Sequence, residues 1–202
     1  MRSADEAGMI VDLARKRVTV RKFQPKEVSL QKIIRFIEAA RQAPSGANRQ
    51  PWRFIVVSNA GLKQRIREEC ERIERSFHER APEWMKKWLR NRKITPVKKF
   101  LTEAPYLIIV CSEKTAAYQV QSVWLSIGYM LLAIEEEGLA TVTYTPSRTA
   151  GIREILNIPD EYTVEAILPV GYAAETPMKN RRGLSELVYD NIWAGRYAEF
   201  AC

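Results

Sequence analysis

The segment from Arg17 to Arg21 places two guanidinium groups and one hydroxyl group within five residues. In an extended segment Arg17, Thr19 and Arg21 point to the same side, because side chains alternate along a strand. Two forked cations beside a hydroxyl suit a phosphate group. The pattern is also typical of a basic, solvent-facing strand edge, so the motif alone leaves both interpretations open.

A loop of small residues, from Ala43 to Trp52, is the second candidate site. Ser45, Gly46 and Ala47 have short side chains, so a flat ligand could come close to the backbone and accept hydrogen bonds from its N–H groups. The alternative is an ordinary connection between a helix and a strand.

Two further candidates follow strands. The sequence Thr143-Tyr-Thr145 lies at the end of a predicted strand, a common place for ligand contacts in α/β proteins. Its alternative is a strand with ordinary β-forming threonines. The basic sequence Asn180-Arg-Arg182 follows the last strand, and alone it indicates a solvated turn.

The elements that must position these residues follow from periodicity and turn formers. Ser29 is the expected N-cap of the first predicted helix, and Gly138 the expected C-cap of the best one, in which Trp124, Ile127, Leu131 and Ile134 share a face. Residues 62–103 are highly charged and weakly periodic, so we expect a mobile cover rather than core. The predicted helices are 29–42, 62–80, 84–92, 118–137 and 151–157, and the predicted strands are 52–57, 106–111, 141–145 and 164–170.

Composition excludes several kinds of site. The single histidine and the three unpatterned cysteines predict no metal site, no disulfide framework and no Ser-His-Asp relay. Redox chemistry would therefore need an organic cofactor. The net charge of +8 suggests anionic partners, but no recognised module accompanies it, so nucleic-acid binding is not expected. No apolar run approaches the roughly 20 residues of a membrane span, so we expect a cytoplasmic protein.

Taken together, Arg17–Arg21 and the run from Glu38 to Phe54 strongly resemble the nitroreductase superfamily of FMN enzymes. The later segments 138–146 and 167–172, with Arg181, resemble its iodotyrosine deiodinase branch. The resemblance covers residues 15–193. It implies an α+β, nitroreductase-like fold with a mixed central sheet flanked by helices, in an intertwined homodimer. Residues 1–202 would form one domain, with 62–103 as a lid-like segment and 184–202 as an extension onto the partner subunit.

The resemblance also implies where FMN would bind. The phosphate and ribityl end would contact Arg181 and the run Arg17, Val18, Thr19, Val20 and Arg21. Ser45 would lie near the flavin, and Thr143, Tyr144 and Thr145 beside its ring system. The Thr145 hydroxyl would be close to N5, where it could donate to a reduced or half-reduced flavin and favour one-electron steps.

The deiodinase branch further implies a substrate lid with a glutamate, a tyrosine four residues later and a distant lysine. Glu74 and Lys98 match the charged pair, which would hold the ammonium and carboxylate of a halotyrosine. His78 stands at the tyrosine position, with Phe77 beside it. The backbone N–H of Ala47 would meet the substrate phenolate. Alternatively, Glu74 and Lys98 are surface charges in a charged segment.

The resemblance therefore implies reductive dehalogenation of a halotyrosine or a similar phenol, with the phenolate stacked on FMN. One alternative is a general NAD(P)H-dependent nitroreductase or quinone reductase, which the absence of the lid tyrosine favours. The other is a flavin-binding protein without turnover. No Gly-rich dinucleotide fingerprint is present, so NAD(P)H or another reductant would bind transiently over the flavin.

Overall fold

The structure of the chain is a computed structural model that describes residues 9–193 and 195. Its helices are α1 Met9–Lys16, α2 Leu30–Arg41, α3 Ala60–Arg80, α4 Glu83–Asn91, α5 Phe100–Glu103, α6 Gln119–Glu136 and α7 Ala150–Ile155. Its strands are β1 Trp52–Val57, β2 Tyr106–Glu113, β3 Ala140–Thr141 and β4 Tyr162–Gly171. Short 3₁₀ turns occupy Gly46–Asn48 and Leu184–Glu186.

The strands form one sheet in the order β1-β2-β4-β3, and each of these three pairings is antiparallel. Among the described residues, the parallel component of the predicted mixed sheet is a single bridge between Thr19 and Thr141. The predicted strand 141–145 is wrong in extent, because β3 covers only Ala140–Thr141. Beyond it the chain leaves the ladder and returns for one bridge, between Tyr144 and Ile167.

Two hydrophobic layers lie on opposite faces of the sheet. Leu107, Ile109 and Cys111 of β2 face one core cluster, and Ile108 and Val110 face the other, as strand alternation requires. The first layer is completed by α3, α5 and α7, and the second by α2 and α6. Both faces of β2 are therefore buried, which confirms its prediction as a continuous apolar strand.

Residues 62–103 do not form a simple cover. Ile66, Cys70 and Ile73 of α3 are buried, and Leu101 of α5 is inaccessible to solvent. The expectation of cover rather than core is wrong for these residues, because α3 is amphipathic: its apolar positions recur at helical spacing among many charges. Helix α4 is more exposed: Trp84 is exposed, and Leu89 is the buried residue of this helix.

The cap of α6 is confirmed, whereas its predicted face is partly wrong. Gly138 has φ +68°, and the N–H groups of Gly138 and Leu139 donate to Glu135 and Ile134 at 3.0 Å each, a Schellman motif. In the core the helix uses Val123, Ser126, Ile127, Met130 and Ile134, while Trp124 is exposed and Leu131 only partly buried. Ser29 occupies the N-cap position of α2 but makes no side-chain capping hydrogen bond there.

The described residues also bear on membrane spans and metal sites. Across 9–193 and 195, no helix is long and apolar enough to cross a membrane. Within the same ranges, no cluster of three or more His, Cys, Asp or Glu side chains could hold a metal ion. Trp193 of the predicted extension is exposed, whereas Tyr197 and Phe200 lie outside the described residues.

Candidate active site

A cleft of about 1040 Å³ opens between the β3–α7 segment, α3 and the chain that precedes α5. Its lining brings together residues that are far apart in sequence: Arg21, Glu74, Lys98, Thr143, Tyr144 and Thr145. All of them were predicted as cofactor or substrate contacts.

The segment that carries Arg21 is fixed to the edge of the sheet. The N–H of Val20 donates to the Thr141 carbonyl at 3.1 Å, and Phe23 bridges Ala173. The N–H of Arg21 donates to Glu175 Oε1 at 2.6 Å. Val20 is buried in the core, so strand alternation turns Arg21 away from the core and into the cleft.

A cluster of cations lies beside the start of this segment. Lys179 Nζ donates to the carbonyl oxygens of Ala14 and Arg17, at 2.6 and 2.8 Å. Lost hydration and the neighbouring Arg181 and Arg17 together lower the pKa of Lys179. Like charges brought together in this way favour an anionic ligand such as a phosphate. Lys179 was not predicted, although it directly precedes the basic sequence Asn180-Arg-Arg182.

The Ser45–Ala47 turn is held against the start of α6, outside the lining of the cleft. Gly46 donates its N–H to Ser122 Oγ at 3.2 Å, and a Cβ at Gly46 would come within 3.1 Å of the Ala117 carbonyl. Ser45 Oγ accepts the Gln50 N–H at 3.0 Å. Ala47 has φ 49°, a left-handed conformation that is uncommon for a residue with a side chain and is often found at functional sites.

The remaining predicted contacts also lie outside that lining. Arg17 and Arg181 belong to the cation cluster, and Thr19 lies in the bridge to Thr141. Val20 is buried in the hydrophobic core and Val18 is partly buried against it, and the N–H of Val20 is already donated to Thr141.

Glu74 is the centre of a polar cluster at the wall of the cleft. Its Oε2 lies 3.1 Å from Lys98 Nζ, and its Oε1 accepts the Tyr144 hydroxyl at 3.3 Å. Lys98 Nζ also donates to the Thr95 carbonyl at 2.8 Å. The two charged side chains retain only 14% and 9% of their exposure, so the pair is largely desolvated. The two side chains are therefore paired and mostly buried, rather than solvated surface charges; their contact with a substrate stays a prediction.

His78, rather than Phe77, faces this cluster. His78 Nε2 is buried 3.9 Å from Glu74 Oε2, beyond hydrogen-bond distance, and it has no hydrogen-bond partner within the part of the chain that the structure describes. The ring of Phe77 is partly exposed. A buried nitrogen without a partner is costly, and a polar ligand atom at the cluster would satisfy it.

The loop that carries Lys98 is tied to α3 by a second carboxylate. Glu71 Oε1 accepts the backbone N–H of Lys98 at 2.9 Å and Arg67 Nε at 2.7 Å. Burial opposes ionisation of Glu71, but these two hydrogen bonds and the nearby guanidinium groups keep its pKa below the ordinary value. Lys98 is thus held next to Glu74 by its backbone as well as by its side chain.

The rest of the cleft is strongly basic. Lys22, Arg92, Lys93 and Lys99 join Arg21 and Lys98 along its lining, against the two carboxylates of Glu74 and Glu103. Such a concentration of cations attracts anionic groups, including phosphates and carboxylates.

Comparison with known proteins shows the family of the chain. Residues 14–172 match the Nitroreductase family. The chain belongs to that family. It is 47% identical over 174 residues to the iodotyrosine deiodinase of Thermotoga neapolitana, covering 86% of this chain and 94% of that protein. It is 36% identical to the iodotyrosine deiodinase of Haliscomenobacter hydrossis, covering 80% of this chain and 78% of that protein.

Solved structures agree on the fold. A crystal structure of oxidized iodotyrosine deiodinase bound to FMN and 3-iodo-L-tyrosine superposes with a TM-score of 0.83 at 42% identity, covering 93% of this chain and 100% of that one. A nitroreductase with bound FMN from Desulfitobacterium hafniense superposes with a TM-score of 0.75 at 22% identity, covering 95% and 100%. The second likeness concerns the fold alone.

Proposed function

We propose that this protein is an FMN-dependent oxidoreductase that reductively dehalogenates halotyrosines. The observation that carries the proposal is the desolvated Glu74–Lys98 pair, in the same cleft as Arg21 and Thr143 to Thr145. Similarity to iodotyrosine deiodinases over most of the chain supports the same reaction. Reduction of a carbon–iodine bond consumes two electrons and one proton and releases iodide.

The residues present fit FMN. Arg17, Lys179 and Arg181 supply positive charge for its phosphate, and Arg21 extends that charge into the cleft. When bound, FMN supplies the electrons of the reaction. Thr145 lines the cleft with a hydroxyl that can exchange a hydrogen bond with the flavin edge, and we assign it the catalytic role beside N5.

The polar cluster would recognise the amino-acid part of the substrate. The carboxylate of Glu74 receives the ammonium group, and Lys98 pairs with the substrate carboxylate. His78 offers its buried Nε2 as a further polar contact. The backbone N–H of Ala47, an exposed residue in a left-handed turn, would donate to the phenolate oxygen.

The oligomer is part of the proposal. The outer surfaces of α2 and α6 expose large apolar side chains, namely Leu30, Ile34, Trp124, Leu125 and Tyr129. An apolar surface of this kind is typical of an interface. We propose a homodimer through this surface, since a second copy could bring its Ser45–Ala47 turn, which adjoins α6, to the cleft of its partner. Three further points stay predictions: the contact of residues 184–202 with the partner, the cytoplasmic location, and NAD(P)H as the reductant.

Titration of the FMN-loaded protein with 3-iodo-L-tyrosine, followed by flavin fluorescence, tests this function. We expect saturable quenching at micromolar concentrations, about −8 kcal/mol of binding free energy. L-tyrosine is the control, and it should quench at much higher concentrations only. Flavin that stays bound and unquenched by iodotyrosine would contradict the proposal.

A general nitroreductase or quinone reductase is the second candidate. Two observations favour it. Glu74 and Lys98 neutralise each other's charge without a ligand, and His78 stands at the tyrosine position. In that case Glu74→Gln would leave turnover of nitroaromatic and quinone substrates unchanged, and iodotyrosine would be neither bound nor converted.

A further inference from the structure

Tyr144 links the segment after β3 to α3, because its backbone pairs with β4 and its side chain contacts Glu74 of α3. Its backbone N–H and carbonyl pair with Ile167 of β4, at 3.0 and 2.8 Å, which fixes the neighbouring Thr143 and Thr145 in the lining. Its side chain is buried against Phe100, with the rings edge to face and their centres 5.6 Å apart. The hydroxyl group of that side chain reaches Glu74 on α3.

The two oxygens of Glu74 have separate partners. Lys98 Nζ and His78 Nε2 both lie on the side of Oε2, at 3.1 and 3.9 Å, whereas the Tyr144 hydroxyl donates to Oε1. An ammonium group that entered the cluster would compete with Lys98 for Oε2. The contact with Tyr144 would persist through that exchange, because it uses the other oxygen. Burial, with Cys70 and Glu74 nearby, raises the pKa of Tyr144, so the phenol keeps the proton that it donates.

We propose that Tyr144 is a positioning residue that selects amino-acid substrates, by holding the Glu74 carboxylate in the orientation that receives an ammonium group. Because the same residue is paired with β4, it sets the distance between that carboxylate and the threonines on either side of it. This inference rests on the proposed function, which gives Glu74 the ammonium group. It follows that Tyr144 matters for halotyrosines and not for halophenols that lack the amino-acid part.

The test is Tyr144→Phe in the FMN-loaded protein, which keeps the ring against Phe100 and removes only the hydroxyl. Kd is measured by flavin fluorescence for 3-iodo-L-tyrosine and for 2-iodophenol, the latter up to millimolar concentration. We expect the Kd of iodotyrosine to rise about 10-fold, which corresponds to about 1.4 kcal/mol. The Kd of 2-iodophenol and the flavin content should stay as in the wild type, and the melting temperature should fall by a few degrees at most, because one buried hydrogen bond is lost.

The matched control is Tyr162→Phe, which removes a hydroxyl from another tyrosine packed on the same core layer, at the start of β4. It should bind both ligands like the wild type. An unchanged Kd of iodotyrosine in Tyr144→Phe would overturn the inference and leave the proposed function standing. Equal weakening of both ligands would also overturn it, because that result indicates general damage to the cleft. If wild-type protein bound no iodotyrosine, both the proposed function and the inference would fall.

Discussion

The ion pair between Glu74 and Lys98 should contribute measurably to the free energy of unfolding of the ligand-free protein. We consider Glu74→Gln, which keeps the size of the side chain and its hydrogen bond from Tyr144 but removes the charge that faces Lys98. Exposed ion pairs contribute about 0–1 kcal/mol. Removing one partner of a fully buried pair costs about 3–5 kcal/mol.

The present pair lies between these limits. Its side chains retain 14% and 9% exposure, and Lys98 keeps the Thr95 carbonyl when the carboxylate is lost. We therefore expect Glu74→Gln to lower the free energy of unfolding by about 1–3 kcal/mol.

Denaturant unfolding of four proteins measures this: wild type, Glu74→Gln, Lys98→Met and the double variant. The double-mutant cycle separates the interaction of the two side chains from their other contacts. We expect a coupling energy of about 1–3 kcal/mol. A coupling below about 0.5 kcal/mol would refute the reasoning, since the charges would then be independent.

Three other predictions follow from the fold. Burial raises the pKa of the Cys70 thiol from 9.0 to about 12, so above pH 9 the unfolded chain loses a proton that the folded chain keeps, and stability falls as pH rises. At pH 10.5 the loss in the free energy of unfolding amounts to about 2 kcal/mol. Between pH 8 and 10.5, urea unfolding should show that Cys70→Ala loses less stability than the wild type. Parallel pH profiles of the two proteins would contradict this prediction. Gly138→Ala places a side chain at φ +68° and should cost about 1–2 kcal/mol, measured by chemical unfolding; an unchanged midpoint would show that the cap relaxes. Ile127→Ala empties a buried position between α6 and the sheet and should cost about 2–5 kcal/mol, whereas truncation of exposed Leu125 in the monomeric state should cost far less.

Much of the fold could be predicted because its signals are local. Strand β2 is a continuous apolar run from Tyr106 to Cys111, and Gly138 ends α6 through backbone geometry that favours glycine. The extent of β3 could not be predicted, because the β propensity of Thr143 and Tyr144 does not say whether a neighbouring strand is there to pair. The core role of α3 was obscured by its charges, although Ile66, Cys70 and Ile73 have helical spacing.

The residues of the candidate site were predicted better than the contacts between them. Resemblance to a family identified Glu74 and Lys98, but their direct pairing depends on how residues 24 positions apart are brought together by α3 and the loop before α5. The contact of the Tyr144 hydroxyl with Glu74 depends on the path of the chain after β3, which no periodicity indicates. Lys179 is positioned by backbone carbonyls of a distant segment, and such contacts leave no pattern in the sequence.

Single-turnover dehalogenation tests the central claim most directly. The FMN-loaded protein is reduced with dithionite, freed of excess reductant and mixed anaerobically with 3-iodo-L-tyrosine, and iodide and tyrosine are quantified. We predict about one iodide and one tyrosine for each reduced flavin, because two electrons balance one carbon–iodine bond. Reduced flavin that leaves iodotyrosine unchanged, yet is reoxidised by a nitroaromatic compound or a quinone, would contradict the account.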